Sequence, residues 1–292
     1  ANPDEHFNFA IFSYACYHLA LEIDVDLVHS HDWHTAIVTI LCNSQPKKKP
    51  TCFTIHNLAY QGDHPVEMTR FLRIDPFYLD LKLFEHLSKI NYMKAALHAA
   101  QEITTVSRGY RDEILKEPMG NFLSWLLRER QDSLTGILNG INEEEWNPKL
   151  DKKIYQNYSI EDVEKGKLAN KLALYQEYGL HVELHRPLIG LIGRLTHQKG
   201  FDTFLNSFYQ KWKLPFYYFI LGSGDKQIEG AFFHESHHSN GRVFFYKGFD
   251  EVLARKIEAA SDFFLMPSLF EPCGLNQMYS HAYGTIPIVS RV

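Results

Sequence analysis

The feature that most constrains this chain is a recurrence. Short runs rich in β-branched and aromatic residues return along its length, each followed by a loop and then by a helical pattern. That alternation is the mark of βαβ units and a parallel sheet, because a parallel neighbour can be reached only through a crossover long enough to hold a helix. Strands are expected near Asp26 to His29, Thr51 to Ile55, Ile103 to Val106, Leu188 to Ile192, Phe216 to Leu221, Val243 to Tyr246, Asp262 to Met266 and Ile286 to Val289. Eight such runs in 292 residues predict an α/β protein of two doubly wound, Rossmann-like domains.

A helix is expected from Ile160 to Tyr178, with Ser159 as N-cap, Asp162 three residues on, an apolar stripe at Leu168, Leu172 and Tyr175, and Gly179 as its stop. The polar segment His181 to Pro187 follows. A residue before proline disfavours helix, and the next run is a new strand, so the boundary is placed there: domains 1–183 and 184–292. Asp250 reads as the N-cap of a helix bearing Leu253 and Ile257, and the lysine run Lys47 to Lys49 as a solvated turn.

Composition narrows the function. A hydrophobic content of 45% and a charged content of 22% describe an ordinary soluble globular chain. A formal net charge of -5 argues against nucleic-acid or anionic-membrane binding, which needs a broad cationic surface. Cys16, Cys42, Cys52 and Cys273 form no CxxC pair and no regular spacing, so neither a disulfide framework nor a zinc ribbon is expected, and a reducing, cytoplasmic compartment fits. No run of about 18 apolar residues suggests a membrane span, and the Asn157 to Ser159 acceptor reads as chance. Both ends are expected to be cut, since the chain begins without Met in a helical stretch and stops directly after the run Ile286 to Val289.

In open parallel sheets the ligand crevice lies beyond the carboxyl ends of the strands, where loop amides and helix N-termini converge. The unusual motifs all fall there. His29 to His34 follows the first run and His56 to Gly62 the second; Gly193 to Gly200, Gly222 to Asp225 and Phe270 to Leu275 follow runs of the second half. Arg194 and Lys199, five apart across one turn, can converge on a single diphosphate; alone they would better suit two solvated surface cations, and it is the company of the other loops that favours the shared site. Glu271 stands beside a helix start near Gly274, and a carboxylate beside an anion site is best used to orient sugar hydroxyls or to face a developing positive charge. Cys273 is equally a small residue that fits a tight turn. His29, His31 and His34 imitate ligand spacing, but His29 lies inside a strand pattern where it alternates with Ser30, so no metal is expected. His234, His237 and His238 read as a solvated loop. Gly222-Ser223-Gly224 lacks the full GxGxxG pattern and does not support NAD binding.

Taken in order, DLVHSHDWHTAIV, FTIHNLAYQG, TTVSRGY, GILNGINEEEWNP, GLIGRLTHQKGFDTF, LGSGD and MPSLFEPCGLNQMYSHAYGTIPIVSR resemble the motif series of bacterial and plant glycogen/starch synthases, from about Phe7 to Val292. LGSGD alone is weak; RLTHQKG and FEPCGLNQ are specific. The resemblance implies the GT-B architecture, two Rossmann-like domains facing a cleft, and retaining transfer of glucose from ADP-glucose, with UDP-glucose as the second choice, to the non-reducing end of an α-1,4-glucan. It implies no cofactor beyond that donor and no metal. By the same resemblance Arg194 and Lys199 bind the donor diphosphate and stabilise the leaving group, and Glu271 lies beside the transferred glucose. Cys273, Gly274 and Leu275 meet phosphate and sugar, Ser223 and Phe249 complete the donor site, His56 stands near the glucose, and Asp32 belongs to the acceptor side. Another GT-B transferase acting on a lipid or small molecule, or a non-catalytic glucan-binding remnant, are the alternatives.

The departures are specific. The family's Lys-x-Gly-Gly-Leu loop would precede residue 1 and its Thr-Gly-Gly-Leu loop would follow Val292, so the fragment itself is expected to be short of donor contacts. Phe249 stands where tyrosine is usual, which keeps a stacking face and loses the hydroxyl. Leu269 replaces arginine, Asn276 replaces threonine, and Arg108 replaces proline.

Overall fold

Thr51–Ile55 shows how the sheets arise: five residues, three of them β-branched, four of them buried, bounded by Pro50 before and a polar loop after. The computed structural model describes residues 5–44, 46–65, 85–86, 89–180, 183–211 and 214–291. By its contacts the chain divides into two units, Ala1–Asn139 and Gly140–Val292.

In the first unit α1 (Glu5–Glu22) leads to β1 (Val28–His31), a 3₁₀ turn (Trp33–Thr35), α2 (Ala36–Ser44) and β2 (Thr51–Ile55). Three short strands follow, β3 (Asp63–His64), β4 (Glu85–His86) and β5 (Lys89–Asn91), then α3 (Tyr92–Ala99), β6 (Glu102–Thr105), α4 (Arg108–Ile114), α5 (Ser124–Glu129) and β7 (Leu134–Gly136). The main sheet is parallel with order β1-β2-β6-β7, and β3, β5 and β4 form a separate antiparallel ribbon. Phe53, Ile55 and Ile103 from the sheet and Ile37, Ile40 and Leu41 from α2 are fully buried, which closes the helix over one face. The sequence reading missed β7, whose three residues end in glycine, and the whole antiparallel ribbon.

The second unit holds α6 (Val163–Glu177), β8 (Leu188–Ile192), α7 (Phe201–Lys211), β9 (Tyr217–Gly222), α8 (Lys226–His238), β10 (Val243–Lys247), α9 (Glu251–Ala260), β11 (Phe263–Met266), α10 (Leu275–Ala282) and β12 (Ile286–Val289). Its parallel sheet runs β10-β9-β8-β11-β12. Strand order therefore reverses between β8 and β11, the point at which doubly wound sheets open a ligand crevice. Two cores flank the sheet. Leu191, Ile220, Phe204 and Phe232 fill one side, and Leu174, Tyr175, Phe219, Leu253 and Ile257 the other.

That second core moves the boundary. The sequence placed 140–183 in the first domain; instead Leu174 and Tyr175 of α6 pack on the sheet of the second unit, and Ile154 and Tyr158 pack against Ala259 and Tyr283. His181 and Val182 of the expected linker lie outside the described residues. The helix there also differs in detail. It begins at Val163 with Asp162 at its N-cap, whose carboxylate accepts from the Ser159 amide at 2.7 Å. Leu168 and Leu172 are exposed, 48% and 37%, while Gly166, Asn170, Lys171, Leu174 and Tyr175 are buried. The buried face was hidden because polar residues occupy it: Asn170 accepts from the Tyr155 and Gln156 amides, and Lys171 donates to the Arg186 carbonyl and to Asp262. Gly179 ends the helix at φ +61 as expected.

Asp250 caps α9 by accepting from the Leu253 amide at 2.9 Å, as expected. His234, His237 and His238 are helical rather than in a loop; they close α8, which Asp225 starts by accepting from the Gln227 and Ile228 amides. Among the described residues no helix is long and apolar enough to cross a membrane.

Candidate functional site

The loops that leave β8, β9 and β11 are locked together by backbone. The Leu195 amide donates to the Ser223 carbonyl at 2.9 Å and the Asp225 amide returns a bond to the Leu195 carbonyl at 2.7 Å. The Leu269 amide reaches the Gln198 carbonyl at 2.9 Å. Gly200 makes the last approach possible: its φ is +68, and a Cβ there would sit 1.8 Å from the Pro267 carbonyl oxygen. The sequence showed only that the loop ends in glycine; the fold shows that Pro267 is the reason.

Between these loops lies a cavity of about 370 Å³, lined by residues that include Arg194, Lys199, Ser223, Phe249 and Asn276. Arg194 and Lys199 thus reach one space, as their spacing suggested. Phe249 is 92% exposed, so its ring offers a free face. Asn276 is held by a 3.0 Å bond from its amide to the Ile192 carbonyl; the sequence reading noted it only as a departure. Lys199 Nζ lies 2.5 Å from Glu271 Oε1, and the Ser268 hydroxyl donates to the same oxygen at 2.7 Å. Both members of the ion pair are largely buried, at 24% and 14% side-chain exposure, where attraction is less screened than at the surface. Ser268 is a residue the sequence reading missed, three positions before Glu271.

Cys273, Gly274 and Leu275 do not line the cavity. They form the turn that enters α10: Gly274 is its N-cap at φ +74, and the helix starts at Leu275, one residue before the cavity-lining Asn276. The first amides of a helix lack intrahelical acceptors, so this end carries partial positive charge toward the cavity's edge.

The first unit builds a different site. Asp32 follows β1 at φ 53, a conformation costly for a non-glycine residue. Its carboxylate explains the arrangement: Oδ1 accepts from the His56 amide at 2.8 Å and lies 3.5 Å from the Asn57 amide. The Leu58 amide donates to the Tyr110 hydroxyl at 2.9 Å, and burial pushes that phenol up to about 12. Asn91 reaches Gln61 at 2.6 Å. The His56 to Gly62 loop is thereby held from three sides, and Gly62, at φ +69, passes so close to Trp33 that a Cβ would meet its ring at 2.7 Å. His31 Nδ1 is 3.0 Å from His56 Nε2. Burial, with His29 and His56 nearby, holds the His31 imidazole below its ordinary value. Asp32 and His56 are therefore brought together, through backbone rather than side chain to side chain. Among the described residues no group of His, Cys, Asp and Glu is placed to hold a metal ion.

Residues 1–129 match the family described as starch synthase catalytic domain, and 186–292 match glycosyl transferases group 1. A glycogen synthase of Leptospira biflexa is 60% identical over 99% of this chain and 61% of its own length. A glycogen synthase of Exiguobacterium sibiricum is 41% identical over 98% of this chain and 62% of its own. The catalytic domain of starch synthase IV from Arabidopsis thaliana bound to ADP and acarbose superposes with a TM-score of 0.90 at 33% identity, over 99% of this chain and 62% of that one. Sucrose-phosphate synthase from Thermosynechococcus elongatus shares the fold, with a TM-score of 0.61 at 18% identity over the whole chain and 62% of the other. The chain thus spans about 60% of the length of the relatives it matches. Two parallel-sheet units carrying these loops have the GT-B fold of such transferases, and the chain is similar to glycogen and starch synthases over nearly its whole length.

Proposed function

We propose that this chain carries most of a retaining glucosyltransferase that moves glucose from ADP-glucose, or secondarily UDP-glucose, to the non-reducing end of an α-1,4-glucan such as glycogen. The observation that carries the reading is the cavity at the β8/β11 switch point, where Arg194 and Lys199 line one space and Lys199 pairs with Glu271 at 2.5 Å. The Arabidopsis neighbour bound to ADP and acarbose supports the same ligand classes.

Chemically, the bond between glucose C1 and the diphosphate oxygen breaks, and the electron pair leaves with the diphosphate. Arg194 and Lys199 stabilise the charge that appears there, a task that needs fixed cations rather than a cofactor or metal. The Phe249 face serves the base. Glu271, with Oε1 occupied by Lys199 and Ser268, turns Oε2 to a hexose hydroxyl and offsets the positive charge developing on the sugar. The acceptor 4-hydroxyl joins C1 on the face the diphosphate leaves, and its proton passes to the departing phosphate oxygen. His56 is assigned to the glucose and Asp32 to the acceptor. The reading places the protein in a reducing cytoplasm, and nucleic acid and membrane are not partners in it.

The test is transfer of labelled glucose to glycogen by the complete protein, with ADP-glucose and UDP-glucose side by side. Transfer is expected, faster with ADP-glucose, and Lys199→Ala should nearly abolish it. Near-normal transfer by that variant would sink the assignment of the cavity.

A further inference from the structure

His29, His31 and His56 form a group that the proposed reaction uses only at its last member. The sheet assembles it. In parallel register His31 pairs with Thr54, two residues before His56, and His29 sits two residues earlier on the same exposed side of β1 while Ser30 points inward. Thr35 fixes the backbone of His31, donating its hydroxyl to the His31 carbonyl at 2.7 Å. The His29 and His31 rings lie 4.3 Å apart, tilted by 35°. His29 Nε2 is 2.7 Å from the Thr54 hydroxyl, which is 2.6 Å from that of Thr104 on β6.

The contact that matters is His31 Nδ1 to His56 Nε2, 3.0 Å. Two imidazole nitrogens at that distance share one proton, because each neutral ring offers one donor and one acceptor. If His31 donates, His56 carries its own proton on Nδ1; if His56 donates, its Nδ1 is bare. Either way the tautomer of His56 is set by its neighbour, as with other oriented histidines. A second proton on the pair puts two N–H donors face to face and breaks the bond. We infer that His31 is a positioning residue that fixes the ring and tautomer of His56, and that double protonation of the pair releases His56 as the pH falls.

The charged groups around His31 are few. Asp32, next in the chain, favours its protonation; His29 on the same strand and His56 from the loop after β2 oppose it, as does burial, and the last three prevail, so that His31 stays neutral below its ordinary range. Thr54 and Thr104 contribute hydroxyls only. The sugar-facing role of His56 rests on the function proposed above, whereas the proton shared by the pair does not.

The test therefore has two arms. In the complete protein labelled at histidine Cε1, NMR should show His31 and His56 titrating as a coupled pair in two steps. His31→Gln, which keeps a donor and an acceptor but takes no proton, should reduce the His56 titration to one step, and His56→Gln should do the same to His31. In the transfer assay, the acid limb of kcat/KM should move by about half a pH unit or more in His31→Gln. His31→Phe should lose kcat about tenfold or more with little change in the KM for the nucleotide sugar, and His31→Gln should recover part of that loss. Unchanged His56 titration in His31→Gln overturns the inference, as does an unshifted acid limb. If the unaltered protein transfers no glucose, the proposed function fails instead, and the NMR arm decides the pairing alone.

Discussion

The first unit holds its candidate residues with hydrogen bonds from backbone amides, and the second holds its own with an ion pair between glycine-shaped loops. Asp32 does its visible work on the His56 and Asn57 amides, while Lys199 and Glu271 work on one another. The contrast is one of preorganisation. A loop that must present an imidazole and hydroxyl partners to a neutral sugar can be fixed through its amides. A loop proposed to meet a diphosphate needs cations already in place, and a buried lysine needs a partner, since an unpaired buried charge is costly.

The largest effect that could break this comparison is on catalysis. Lys199→Ala or Arg194→Ala should cost about 2–4 kcal/mol of transition-state stabilisation, by analogy with removing one preorganised donor to developing negative charge. Asp32→Asn, which keeps the accepting oxygen for the His56 amide, should cost roughly tenfold or less in kcat/KM by the same measure. Equal losses in both units would erase the distinction.

Next comes the backbone. Gly200→Ala should destabilise the second unit by about 3 kcal/mol or more, because left-handed strain is added to a collision with Pro267. Gly179→Ala, at φ +61 with open space around it, should cost only about 1–2 kcal/mol. Thermal melts of the two variants provide the check, and a similar drop in both would mean that the loop around Gly200 yields.

Asp32→Ala sharpens the view of the first unit. It removes the acceptor of a 2.8 Å bond and should cost about 1–3 kcal/mol, read as faster amide exchange at His56 and Asn57. Unaltered exchange there would show that Tyr110 and Gln61 suffice to hold the loop.

A last comparison is the pH dependence of the two units, which should run in opposite directions. His31 and His98 sit below their ordinary value, both chiefly through burial. Their contribution is therefore present above pH 6.5 and is lost as the pH falls through their folded values. Glu258, fully enclosed on α9 and accepting from Ser280, is pushed up to about 8 by burial. Its contribution is present below about 4.5 and is lost as the pH rises toward 8. Hydrogen exchange resolved by unit should show the first loosening on the acid side and the second on the alkaline side, with Glu258→Gln flattening the latter.

Much of the fold was legible because hydrophobic runs between breakers define strands. Thr51–Ile55, Leu188–Ile192 and Ile286–Val289 lie where the runs placed them. Legibility failed where burial and polarity part company. On α6 the evident stripe at Leu168 and Leu172 faces solvent, while lysine and asparagine occupy the inner face because backbone carbonyls and Asp262 await them. A tripeptide strand such as β7 carries too few residues for any period. In the site, the spacing of Arg194 and Lys199 allowed a shared cavity without requiring it, but Ser268 on Glu271 and His31 on His56 join segments whose partnership no local pattern records.

By itself the sequence determined the parallel α/β class, most strand positions, the candidate loops beyond the strand ends and the likeness to glycogen and starch synthases, because these follow from local periodicity and from motifs of contiguous residues. Tertiary structure alone decided that residues 140–183 pack with the second unit, that Lys199 is neutralised by Glu271, and that Asp32 grips the His56 loop. Each of these depends on which surfaces meet once strands are ordered, and contacts between residues far apart in the chain leave no periodic trace along it.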